Sequence, residues 1–151
     1  MKSLLIVYHS QSGACARLAQ AASDGASEES EVRVITLRAW DAGTTDLVKA
    51  DALLFIAAEN SGRLAGGAKD FLDRTFYPCT DRGLVLPYAL AISAGNDGSG
   101  AQRDAERIFR GYPFKPVAQA LICRGEPGDG ALRDCRELGQ ALAAGLTMGI
   151  Y

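Results

Sequence analysis

Short apolar runs alternate with helix-period stripes along the chain. The runs at residues 4–9, 32–37, 52–57, 88–93 and 117–123 are apolar almost throughout, with no alternation of polar residues. Such runs predict strands covered on both faces. Between them, apolar residues recur at helical spacing. Leu18 and Ala22 follow Ala14 in steps of four. Leu64, Ala68, Phe71 and Leu72 make a second stripe, and Ala101, Ala105, Ile108 and Phe109 a third. Leu132, Cys135, Leu138, Leu142 and Leu146 make the last. A short helix is predicted over residues 44–49. The order βαβαβαβαβα predicts an α/β chain with one domain over residues 1–151. Five parallel strands lie between two layers of helices, in a three-layer α/β/α arrangement with strand order 2-1-3-4-5.

Ligands of such sheets bind beyond the carboxyl ends of the strands, at the switch in strand order. The segments after strands one, three and four therefore carry the candidate chemistry. After strand one come Ser10, Gln11, Ser12, Gly13, Ala14 and Cys15. Hydroxyls and a glycine at a helix start favour an anion, because successive amides and the positive helix end converge there. Gly13 lets the backbone wrap closely. The absence of Lys and Arg suits a phosphate monoester held by neutral donors. The competing reading is that Ser10 or Ser12 only caps the helix. After strand three, Ala57 and Ala58 lead into Glu59, Asn60, Ser61, Gly62 and Arg63, a long polar connection with two more glycines behind it. It is either a seat for a flat ligand or a solvent loop. After strand four, Ser93, Ala94, Gly95 and Asn96 open a further glycine-rich turn.

Composition narrows the function classes. Apolar residues make up 48% and charged residues 23% of the 151, with a formal charge of −2. That charge gives no electrostatic basis for a nucleic-acid partner. No apolar stretch is long enough for a membrane span. The first apolar run is too short for a secretory leader, so a cytoplasmic protein is expected. Cys15, Cys79, Cys123 and Cys135 form no C-x-x-C pair and His9 is the one histidine, which predicts neither a zinc site nor a disulfide framework. Cys123 and Cys135 read as small buried hydrophobes. His9 reads as a hydrogen-bonded structural residue in preference to a general base. A receiver-type signalling domain would need acidic residues where His9-Ser10 and Ala57-Ala58 stand. The G-x-G-x-x-G and G-x-x-x-x-G-K-[ST] fingerprints are both missing.

The first loop resembles the flavodoxin signature for the FMN phosphate: a hydroxyl residue, any residue, a hydroxyl residue, Gly, any residue, then Thr or Asn. Ser10 to Ala14 match, and Cys15 takes the last place. The second loop resembles that of NAD(P)H-dependent FMN reductases, T-P-E-Y-N-G-S-x-x-G-x-x-K-N-x-x-D. Glu59, Gly62, Gly66, Lys69 and Asp73 match in register, while Asn60 replaces the aromatic. Lys69 and Asp73, four apart on a helix, read as an ion pair.

The resemblance implies an FMN-binding oxidoreductase in which the flavin carries the chemistry and no side chain is catalytic. Residues 10–15 would surround the phosphate. Ala58 to Arg63 and Ser93 to Asn96 would surround the ring. Hydride would pass from NADH or NADPH to a small acceptor such as a quinone, a flavin or a nitro compound. The alternative is a flavodoxin-type electron carrier without substrate turnover. Trp40, Tyr77 and Tyr112 are the aromatics that could reach the ring. A homodimer or homotetramer is also implied, with Phe76, Tyr77 and Pro78 read either as an interface patch or as core packing.

Overall fold

In a computed structural model, which describes residues 1–151, the apolar runs lie side by side. β1 (Lys2–Tyr8) sits between β2 (Val32–Arg38) and β3 (Ala52–Asn60), parallel to both. β5 (Pro87–Ala94) extends the sheet beyond β3. The far edge of β5 carries two short parallel pieces, β6 (Lys115–Pro116) and β7 (Leu121–Arg124). A two-residue strand, β4 (Arg63–Leu64), folds back antiparallel on the end of β3. Counting β5 as the fourth strand and β6 with β7 as the fifth, the expected order 2-1-3-4-5 is observed.

Two expectations are corrected here. The fifth strand is not continuous over 117–123. From Tyr88↔Pro116 to Ala91↔Leu121, β5 advances three residues while the edge chain advances five. Pro116 has no amide to donate, and the surplus residues bulge away before pairing resumes. Leu64 does not join the third helix. It lies on β4, although it is still buried against the core beneath that helix.

The helices divide between the faces. α1 (Ala14–Ala26) and α5 (Asp129–Thr147) cover one; α2 (Thr44–Val48), α3 (Gly66–Asp81) and α4 (Ser99–Gly111) cover the other. Successive strand side chains point to opposite faces, so each apolar run feeds both layers. Leu4 and Ile6 belong to the core under α1 and α5, while Leu5 and Val7 belong to the core under α2, α3 and α4. Phe55, on β3, stacks on Phe71 and meets Phe109 edge-on at 5.4 Å.

This packing removes two of the three aromatics expected near a ligand. Tyr112 is buried, its hydroxyl bonded to Thr75 and donating to the carbonyl of Leu72. Tyr77 stands in the last turns of α3, at the opposite end of the sheet. In the 76–78 patch, Phe76 packs on Tyr112, which leaves Tyr77 as its exposed ring. All four cysteines are buried and free. No helix is long and apolar enough to cross a membrane.

Candidate functional site

The turn between β1 and α1 is built around Gly13. Its φ of 100° is strained for any residue with a side chain, and it lets the chain turn directly into the helix. Ser10 is folded inward, its Oγ accepting from the Gly13 amide at 3.1 Å. No side chain caps α1, and no acidic residue lies in its first turn. The amides of Ser10, Gln11, Ser12, Ala14, Cys15 and Ala16 donate to no group of the chain. A run of free N–H groups at a positive helix end is the donor set an anion requires.

Cys15 contributes only its amide. Its thiol is buried against Ser93, and burial pushes it up to about 12, so it stays protonated at neutral pH. His9 is buried too, its ring packed on the backbone of Gly67 and edge-on to Trp40 at 5.4 Å. Burial lowers its pKa from the ordinary value, so the ring is neutral near pH 7. Trp40 remains exposed at this sheet end.

The second segment differs from the long loop expected. Ala58, Glu59 and Asn60 continue β3, Ser61 and Gly62 form a two-residue turn with positive φ at both, and Arg63 begins β4. That geometry matches the tight turn that suits twisted antiparallel strands. The hairpin is clamped to α4. Glu59 Oε2 accepts from the Ala101 amide at 3.0 Å, placing a carboxylate at the positive end of that helix. Arg63 donates to both oxygens of Asp104, at 2.9 and 3.1 Å, and the Leu64 amide donates to the same carboxylate. Arg63 holds the Asp104 carboxyl below its usual range. Gly100 allows the close approach: a Cβ there would land on the carbonyl oxygen of Gly62. Lys69 and Asp73 form the expected ion pair.

The third segment opens at Ser93 and Ala94, the end of β5. Asp97 accepts from the amide and hydroxyl of Ser99. The amides of Gly95 and Asn96 donate to no group of the chain.

These segments enclose a cleft of about 390 Å³. Ser12, Ala14, Ala58, Glu59, Asn60, Ser93, Ala94 and Gly95 line it, all of them expected from sequence. Gln11 joins through its side chain, which accepts from Asn60 Nδ2 at 2.6 Å and so ties the first turn to β3. Of the remaining expected residues, Ser10, Gly13 and Cys15 shape the turn behind the cleft. Ser61 and Gly62 form the hairpin tip, Arg63 faces Asp104, and Asn96 is exposed. Gly125 and Glu126 also line the cleft and were not anticipated. They follow β7, and the rule that ligands gather beyond strand ends applied to that strand as well. Asp104 and the amide of Ala101 carried no sequence signal for these roles, which arise only when α4 meets the hairpin.

No family model matches the chain, and no curated protein matches its sequence. Solved structures do. The chain is similar to a flavodoxin from the domain Archaea, with a TM-score of 0.83 and 20% identity over 96% of this chain and 99% of that one. A flavodoxin, WrbA-like protein from Agrobacterium tumefaciens aligns at a TM-score of 0.78 and 20% identity, over 95% and 96% of the two chains. Rubredoxin oxygen:oxidoreductase from Desulfovibrio gigas aligns at 0.84 and 12% identity, but this chain spans only 37% of it. By architecture, strand order and these likenesses, the chain has the flavodoxin-like fold.

Proposed function

We propose that the cleft holds FMN, with its phosphate on the 10–16 turn, and that the protein moves hydride from NADH or NADPH to a small acceptor such as a quinone or free flavin. The observation that carries the reading is the row of unpartnered amides at the start of α1, opening directly on the cleft. Bound FMN supplies a ring that accepts and releases two electrons with a proton. The chain's own residues bind and orient it. The free amides and Ser12 hold a phosphate without a cationic side chain. Ala58, Ala94 and Gly95 keep the cleft walls low. The amides of Gly95 and Asn96 offer donors for negative charge on a ring placed beside them. No aromatic side chain lines the cleft, which leaves a ring face uncovered for a donor and then an acceptor.

The test is direct. The purified protein is expected to be yellow, or to quench added FMN with a saturable titration. It is expected to oxidise NADH or NADPH anaerobically when a quinone is present. A colourless protein that ignores added FMN ends the proposal. A second reading, a flavodoxin-type electron carrier, is favoured by the end-to-end match with the archaeal flavodoxin. Reduction in two separate one-electron steps, with neither nicotinamide oxidised, would select it.

A further inference from the structure

Behind the β3–β4 hairpin lies a second concavity, a groove of about 340 Å³ between β4, the first turns of α3 and the outer face of α4. Arg63, Lys69 and Arg107 line it with Asp104, Leu64 and Ile108. Arg63 is paired with Asp104 and Lys69 with Asp73, which leaves Arg107 as the groove's cation without a carboxylate, an excess of one positive charge in a chain of net charge −2. The hairpin joins groove to cleft, because Asn60 in the cleft is the cross-strand partner of Arg63 in the groove.

We propose that this groove receives the 2′-phosphoadenosine end of NADPH, making NADPH rather than NADH the hydride donor; the inference rests on the hydride-transfer reading above. A phosphate monoester brings a charge of about −1.5 to −2 at pH 7, which the unpaired Arg107 and the unused Nη1 of Arg63 would meet. Arg63 is preset for it. Asp104 takes its Nε and Nη2, which fixes the guanidinium plane and leaves Nη1 free of any carboxylate. Arg107 is exposed and pairs with no carboxylate of the chain. Leu64 and Ile108 give an apolar floor for an adenine, and a guanidinium can stack on its face.

The same geometry argues against NADH. A 2′-hydroxyl is usually held by a free carboxylate. Asp104 is the carboxylate of the groove, and it already accepts two bonds from Arg63 and one from the Leu64 amide.

Calorimetric titration of the purified protein with 2′,5′-ADP and with 5′-AMP tests the groove without any redox step. The 2′-phosphorylated nucleotide is expected to bind at least ~10-fold more tightly. Arg107→Glu is expected to remove that preference, with an unchanged thermal melt. The ratio of kcat/KM for NADPH over NADH should fall with it. Equal binding of the two nucleotides, or a preference that survives Arg107→Glu, overturns the proposal. So does inorganic phosphate that displaces 2′,5′-ADP at equal concentration, since the adenosine would then play no part. If the groove fails while both nicotinamides are oxidised at equal efficiency, hydride transfer stands and only donor selection falls. If 2′,5′-ADP binds through Arg107 and neither nicotinamide is oxidised, the groove stands and hydride transfer falls.

Discussion

The 10–16 turn and the β3–β4 hairpin sit at the same end of the sheet and use their polar groups in opposite ways. The turn leaves six amides without an acceptor inside the chain. The hairpin spends its polar groups internally, with Glu59 on α4 and Arg63 and Leu64 on Asp104. One segment is an open donor set, and the other is chiefly a fastening, with one guanidinium nitrogen of Arg63 left over. Substitutions in the turn should therefore act mainly on ligand affinity, and substitutions in the hairpin and its seat mainly on stability.

The largest effect is expected at Gly100. In Gly100→Ala the new methyl meets the Gly62 carbonyl, and overpacking of this kind costs about 1–3 kcal/mol. Urea unfolding should show that loss, and an unaffected midpoint would break the contrast from the hairpin side. Gly13→Ala puts a strain of about 1–2 kcal/mol on the left-handed backbone; the free turn relaxes to relieve it, and restoring the converging amides on binding should show in an FMN titration as roughly tenfold weaker affinity. A Gly13→Ala protein that loses stability but keeps its FMN affinity would break the contrast from the other side.

Smaller effects sharpen the comparison. Glu59→Gln keeps an acceptor for the Ala101 amide but removes the charge at the helix end, worth about 0.3–1 kcal/mol. Thermal melts should detect it, with a stability loss exceeding any change in FMN binding. The smallest is a pH dependence at His9. The unfolded chain takes up this proton near pH 6.5, whereas burial holds the folded group below that value. The stability contribution is complete above pH 6.5 and is lost as the pH falls through the folded value. His9→Asn should flatten the stability profile just below pH 6.5, and an unchanged slope there would assign the acid sensitivity elsewhere.

Much of this was legible in the chain because both kinds of signal were local. The apolar runs that pair as β1, β3 and β5 are buried on two faces, so their pattern needed no partner to interpret. The turn with its free amides was legible for the same reason, since Ser10, Gly13 and the start of α1 lie within one stretch. The hairpin was not. Its glycines read as a loose connection, because what folds it is Asp104, which lies 41 residues from Arg63. The break between β6 and β7 escaped for a different reason. Val117, Ala120 and Leu121 continue the apolar composition of a strand, and only the register against β5 shows that two residues are surplus. Tyr112 misled in the opposite sense, since an aromatic after a helix can point to solvent or to core, and Thr75 and Leu72 hold it in the core.

That interrupted last strand has a consequence for how the molecule keeps to itself. A long, straight outer strand would present a row of unpaired N–H and C=O groups on which another chain could add. Here the outer edge offers two residues ending in a proline, a bulge, and then four residues that finish with Arg124. On this edge an incoming strand finds no run longer than β7 and meets a charge at its end, whereas the opposite edge, β2, is a regular strand of seven residues. The irregularity that blurred the sequence pattern guards this one edge of the sheet against strand addition.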